Sequence, residues 1–139
     1  MFLLDTNILV DFLWGRLPLT RADLEASDPS RFKISAVVEA ELRYGAAHSR
    51  FPERNLALVE RLIAPFEVLP FDSAAAREYA RIREELAREG QLIGPNDLLI
   101  AATASATGAT LVTNNLREFR RVRGLAVESW EELALDGSR

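Results

Sequence analysis

The chain reads as an α/β protein built around a parallel sheet. Three observations point there. Short apolar segments alternate with longer stretches of helical period, as in successive βαβ units. Turn-forming residues separate the two kinds of segment. Several of the short segments also end abruptly in a polar or acidic residue, from which a helical pattern sets out. At 139 residues one domain is expected, with a core over residues 1–130 and a carboxyl-terminal tail over 131–139.

Taken in order, the strand candidates are Phe2 to Asp5, Phe32 to Ser35, Phe66 to Phe71, Thr110 to Thr113 and Leu125 to Glu128. Pro70 lacks the amide hydrogen that a central strand needs, so the third strand is expected at an edge. Ser35 is placed to cap a helix running from Ala36 to about Ala47, with Val38, Leu42 and Ala46 on one face. Phe51-Pro52 opens another, with Leu56, Val59 and Ile63 on one side, and Pro65 closes it. Asp72 or Ser73 caps a third, whose Tyr79, Ile82 and Leu86 make an apolar stripe before Gly90. The segment Leu98 to Ala104 is apolar nearly all round, which predicts a buried helix. Gly94-Pro95-Asn96 supplies its turn and cap.

Composition excludes several classes. Apolar residues make up 48% and charged residues 27%, the balance of an ordinary globular protein. The chain has no cysteine, which rules out disulfides, thiolate metal sites and a thiol nucleophile. No apolar run approaches a membrane span of about 20 residues. The apolar start has no basic region before it and is cut by Asp5, so it is not a secretory signal and the expected location is the cytoplasm. A net charge of −4 argues against a general nucleic-acid coat protein, but not against an enzyme that meets RNA through a local patch.

The chemistry concentrates in an acidic constellation. Asp5 ends the first strand, and Thr113-Asn114-Asn115 follows the fourth. Asp97 falls in the first turn of the buried helix, and Glu41 in the second turn of the helix after the second strand. In a parallel sheet with right-handed crossovers all four approach one edge, the edge where open α/β sheets bind ligands. Three carboxylates and an amide oxygen form an oxygen-only donor set that suits Mg²⁺ or Mn²⁺. Crowded carboxylates raise one another's pKa, and a cation would hold them ionised. Each residue also has a plainer reading. Asp5, Thr6 or Asn7 could cap the first helix, Asp97 could complement a helix dipole, Glu41 could be solvated, and Asn115 could be a turn residue.

A family resemblance rests on the same segments. Leu4-Asp5-Thr6-Asn7-Ile8-Leu9-Val10 resembles the opening of a PIN domain. Glu41-Leu42-Arg43-Tyr44-Gly45 resembles the second motif of VapC toxins. Ile93-Gly94-Pro95-Asn96-Asp97-Leu98-Leu99 resembles the third, and Val112-Thr113-Asn114-Asn115-Leu116-Arg117-Glu118-Phe119 the fourth. The resemblance implies a single PIN domain, an α/β/α sandwich with a five-stranded parallel sheet in the order 3-2-1-4-5. It implies an Mg²⁺- or Mn²⁺-dependent endoribonuclease, the toxin of a toxin–antitoxin pair. The toxin would form a homodimer and join a VapB-like antitoxin in a heterotetramer or larger complex. Asp5, Glu41 and Asp97 match the family's acidic positions, and Asn115 falls where many PIN domains carry a fourth aspartate. Thr6 and Thr113 match its supporting hydroxyls. Asp5 and Asp97 are expected to bind the metal directly, with Glu41 acting through water or orienting the nucleophile.

Other residues compete for attention. Arg117, Arg120 and Arg121 could contact RNA phosphates beside Asn115 or form a solvated helix face. His48, the one histidine, is expected at a helix end on the surface. Trp14 and Trp130 could be core or partner contacts. Three further readings stand beside the toxin: a nuclease without an antitoxin, a catalytically idle binding domain, and a phosphatase or phosphoacceptor. A receiver-like phosphoacceptor needs a lysine near the site, and Lys33 starts a strand at the wrong end.

Overall fold

In the computed structural model, which describes residues 1–13 and 29–130, β1 (Phe2–Leu4) occupies the centre of a five-stranded sheet. β2 (Phe32–Ser35) and β4 (Thr110–Val112) flank it, with β3 (Glu67–Leu69) and β5 (Val127–Glu128) at the edges. Every neighbouring pair is parallel, so the order is 3-2-1-4-5. The inner strands are buried on both faces, as parallel strands covered by helices must be. Leu3, Leu4, Ile34, Leu111 and Val112 are at most 1% exposed, and their apolar character follows from that, Lys33 in β2 being the partly exposed exception.

Among the described residues six α-helices connect and cover the strands: α1 (Thr6–Leu13), α2 (Ala36–Ala47), α3 (Pro52–Ile63), α4 (Ser73–Arg88), α5 (Pro95–Thr107) and the short α6 (Leu116–Phe119). The Ser35 hydroxyl accepts a hydrogen bond from the Val38 amide at 3.1 Å and starts α2 directly off β2. Asp72 does the same for α4 through the Ala75 amide at 3.0 Å. α2 packs on α3, and α4 on α5. At Gly108 the backbone turns left-handed, φ 71°, and ends α5.

Several boundaries differ from the sequence reading. β3 stops at Leu69, so Pro70 lies just beyond the strand it was expected to end, although that strand is at an edge. β5 is two residues long rather than four. The buried helix begins at Pro95, earlier than Leu98, because proline suits a first helical turn where its missing amide is not needed. Its N-cap is therefore Gly94, and Asn96 lies inside the helix rather than capping it. Trp130 is a core residue, 6% exposed and edge-on to Phe32. Trp14 and the tail 131–139 lie outside the described residues.

An acidic cavity at the carboxyl ends of the strands

Strand register sets the site. Leu4 pairs with Val112, so the next residues, Asp5 and Thr113, leave the sheet side by side. The ladder runs one step further, with the Asp5 amide donating to the Val112 carbonyl at 2.9 Å. Asp5 is 4% exposed and Thr113 fully buried. The Thr113 hydroxyl donates to Asp5 Oδ2 at 2.7 Å, and in turn accepts from the Asn115 amide at 2.9 Å. The Thr6 amide donates to Asp5 Oδ1 at 2.8 Å, and Asn7 Nδ2 makes a longer contact to Oδ2 at 3.4 Å.

This geometry bears on the capping alternative. The Asp5 carbonyl does accept from Ile8 in the first turn of α1. Its carboxylate, however, receives the amide of the adjacent Thr6 rather than one two or three residues into the helix, so the side chain is not spent on capping. It is buried and turned to the strand ends.

Glu41 arrives from α2. Its Oε1 accepts from the Thr6 hydroxyl at 2.7 Å, and its Oε2 from Asn96 Nδ2 at 3.4 Å. Thr6 thus supports two carboxylates, one with its backbone and one with its side chain. Asp97 comes from the first turn of α5. Asp5, Glu41, Asp97 and Asn115 border one cavity of about 460 Å³, together with Asn7 and Asp11 of α1. Among the described residues, none that borders it is basic.

The electrostatic consequence follows. Burial pushes the Asp5 carboxyl above its ordinary value; the bonds from Thr113, Thr6 and Asn7 oppose this, and the Glu41 charge adds to it. The Asp97 carboxyl is pushed up to about 6, first by burial and then by the facing charges of Asp5, Glu118 and Glu41. Among the described residues no three acidic or histidine side chains already form a closed cation site. The donors ring a space instead. Their chemistry nonetheless fits a hard divalent cation: four carboxylates, two of them raised in part by like charge, with no basic side chain at the border among the described residues.

Three contributors escaped the sequence reading. Asp11 borders the cavity and accepts from Asn114 Nδ2 at 2.7 Å, while the Asn114 amide donates to Asn7 Oδ1 at 3.2 Å. Asn7 and Asp11 are four residues apart on α1, so a helical projection from Asp5 would have put both on one face. Glu118, named in the sequence only as part of the fourth motif, faces Asp97 electrostatically. Asn96 serves Glu41 instead of the helix end.

The remaining candidates fall elsewhere. His48 is exposed at the C-cap of α2, stacked on Tyr44 at 5.5 Å, and does not border the cavity. Lys33 pairs with Glu67 on the adjacent strand, which leaves the site without the lysine a phosphoacceptor needs. Arg117 and Arg120 are exposed on and after α6. Arg121 instead donates to the Leu92 carbonyl at 3.1 Å, and the neighbouring Arg123 pairs with Glu89 at 2.6 Å.

The PIN domain family matches residues 2–125 of the chain. The tRNA(fMet)-specific endonuclease VapC of Shigella flexneri is 44% identical over 129 residues, covering 93% of this chain and 97% of that protein. Ribonuclease VapC2 of Haemophilus influenzae is 40% identical with the same coverage. Among solved structures, DNA-bound VapBC from Salmonella typhimurium contains a chain that superposes with a TM-score of 0.86. The two are 44% identical over 93% of this chain and 97% of that one. VapBC2 from Rickettsia felis, bound to a promoter DNA fragment, gives 0.82 at 34% identity, over 93% of this chain and 98% of that one. With kinship running along nearly its whole length, the chain belongs to the PIN-domain family and, within it, to the VapC ribonucleases.

Proposed function

We propose that this chain cleaves RNA phosphodiester bonds with a divalent cation, Mg²⁺ or Mn²⁺, and acts in the cytoplasm as the toxin of a VapBC-type pair. One observation carries the reading: carboxylates from three separated stretches, with Asn115 from a fourth, border a single cavity that has no basic residue among the described ones.

Asp5 and Asp97 hold the cation. When bound, it supplies Lewis-acid stabilisation of the charge that develops on the phosphodiester and lowers the pKa of a water molecule. The chain's own groups prepare that chemistry. Thr113 and the Thr6 amide fix the Asp5 carboxylate in one rotamer, so its free lone pairs face the cavity. Glu41, held at both oxygens by Thr6 and Asn96, orients the attacking water. Asn115 offers a neutral oxygen at the fourth position and keeps the cavity's charge lower than a fourth aspartate would. Arg117 and Arg120, exposed beside this corner, contact flanking phosphates.

A named relative acts on initiator transfer RNA, which makes that molecule the first substrate to test. Relatives also appear in complexes with antitoxins on DNA. The partner here is accordingly a VapB-like antitoxin, assembled on a toxin homodimer, whose basic side chain can neutralise the carboxylates in place of the cation. The decisive experiment incubates purified, antitoxin-free protein with transfer RNA and Mn²⁺. Cleavage should be lost in Asp5→Ala and Asp97→Ala, along with Mn²⁺ binding by calorimetry. Full cleavage by either variant would refute the assignment.

A further inference from the structure

We propose that Arg50, Phe51 and Arg54 form a landing surface for a single-stranded stretch of RNA, leading it toward the acidic cavity; this rests on the nuclease reading above. A groove of about 580 Å³ lies between α1, α2 and α3. Thr6, Val10 and Glu41 border both this groove and the acidic cavity, so the two spaces lie side by side and share these three side chains. Arg50, Phe51 and Arg54 form part of the groove's wall.

The three residues are arranged in an unusual way for a helix start. Phe51 is 50% exposed, and the guanidinium carbons of Arg50 and Arg54 lie 5.4 and 4.8 Å from its ring centroid. Phe51 is also the N-cap of α3, where it makes no side-chain capping bond. Serine, aspartate or asparagine there would serve the helix better, so local stability does not explain the aromatic. Among the described residues neither arginine has a carboxylate partner. Arg43, Arg81, Arg88 and Arg123, by contrast, are each paired with glutamate.

Charge decides which occupant this surface favours. Two guanidiniums with no carboxylate partner among the described residues, on a chain of net charge −4, mark a local site for a polyanion. Guanidiniums held close to an aromatic ring can contact phosphates through their N–H groups and lie against bases, the combination by which unpaired nucleotides are held. The apolar floor beneath them, including Leu42 and Leu58, accepts a flat base as readily as an apolar side chain. An acidic, apolar protein segment is the rival occupant, and the test separates the two.

Binding of a fluorescently labelled single-stranded RNA oligonucleotide to the full chain is measured in EDTA, so that nothing is cut, across a range of salt concentrations. The variants are Phe51→Ala, the pair Arg50→Ala with Arg54→Ala, and the pair Arg50→Lys with Arg54→Lys. Loss of the ring should weaken binding roughly tenfold or more. The alanine pair should lower the slope of log affinity against log salt by about 1.4, at roughly 0.7 per phosphate contact on a single strand. The lysine pair should keep that slope while losing affinity, a signature that misfolding would not produce. With Mn²⁺ restored, KM for RNA should rise more than kcat falls. Variants that bind RNA like the parent overturn the proposal, and if they also lose the antitoxin, the surface belongs to the protein partner. A parent chain that cleaves RNA in either case keeps the nuclease reading standing; a parent that cleaves none sinks both.

Discussion

Two clusters of charge in this protein behave in opposite ways. On the seam between α4 and α5, Glu78 accepts from Arg81 at 3.0 Å and from the Ser105 hydroxyl at 2.7 Å, and Arg81 also reaches Glu85. The Arg81 and Ser105 bonds hold the Glu78 carboxyl below its ordinary value. At the strand ends, burial and like charge push Asp97 up to about 6. The residue chemistry is the same; only the neighbours differ. Where every carboxylate has a cation within the chain, the cluster serves packing. Where carboxylates gather without one, the fold is holding a charge deficit that an external cation can relieve.

The largest test of that contrast is Thr113→Val. It removes both the donor to Asp5 and the acceptor of the Asn115 amide, at a fully buried position. Mn²⁺ affinity should fall about 10- to 100-fold by calorimetry, with roughly 1–3 kcal/mol lost from metal-free stability in urea titration. Unchanged metal binding would mean that Asp5 needs no orientation.

The next concerns pH. The folded-state pKa of Asp97 lies above its unfolded value, so its ionisation destabilises the metal-free fold. That stability is fully present below about pH 4 and is lost as pH rises through about 6. After allowance for screening of a half-buried group, the loss amounts to about 1–2 kcal/mol. Acid denaturation of other groups is superimposed, so the readout is the difference from Asp97→Asn, which should lack this pH dependence. Protons also compete with the cation, so thermal stabilisation by Mn²⁺ should be greater at pH 7 than at pH 5. Equal stabilisation at both would contradict a cation at Asp97.

A smaller effect is expected from Asn114→Ala, which cuts the link from the β4 corner to Asp11. The backbone contact to Asn7 survives, so a loss of about 1 kcal/mol and a several-fold drop in metal affinity are expected. The smallest is Arg81→Ala. Its side chain is 39% exposed, so stability should fall by under about 1 kcal/mol, with RNA cleavage unchanged. A marked loss of cleavage there would erase the distinction between the two clusters.

Much of the fold was legible because its signals are local. The Ser35 cap, the Asp72-or-Ser73 start of α4 and the apolar runs at β1 and β4 each depend on neighbouring residues; the structure has Ser35 as expected, takes Asp72 of the two, and keeps both runs in strands. Boundaries were less legible. The Gly94-Pro95-Asn96 turn admits two starting points for α5, and only the packed helix shows Asn96 inside it, turned to Glu41. The edge strands were read too long because apolar flanks such as Phe66 and Leu125 pack against the core without joining the ladder.

The sequence by itself determined which carboxylates stand at strand ends and early helical turns, because a strand's apolar run and a helix's first turn are written in adjacent residues. Tertiary structure alone decided what each carboxylate touches. The Thr113 hydroxyl on Asp5 spans 108 positions, and Asn114 reaches Asp11 across 103. Such contacts depend on the register of β1 against β4, a relation between distant segments that no local pattern encodes. The same is true of Glu118 facing Asp97, and of Arg50 and Arg54 sharing a groove with Glu41.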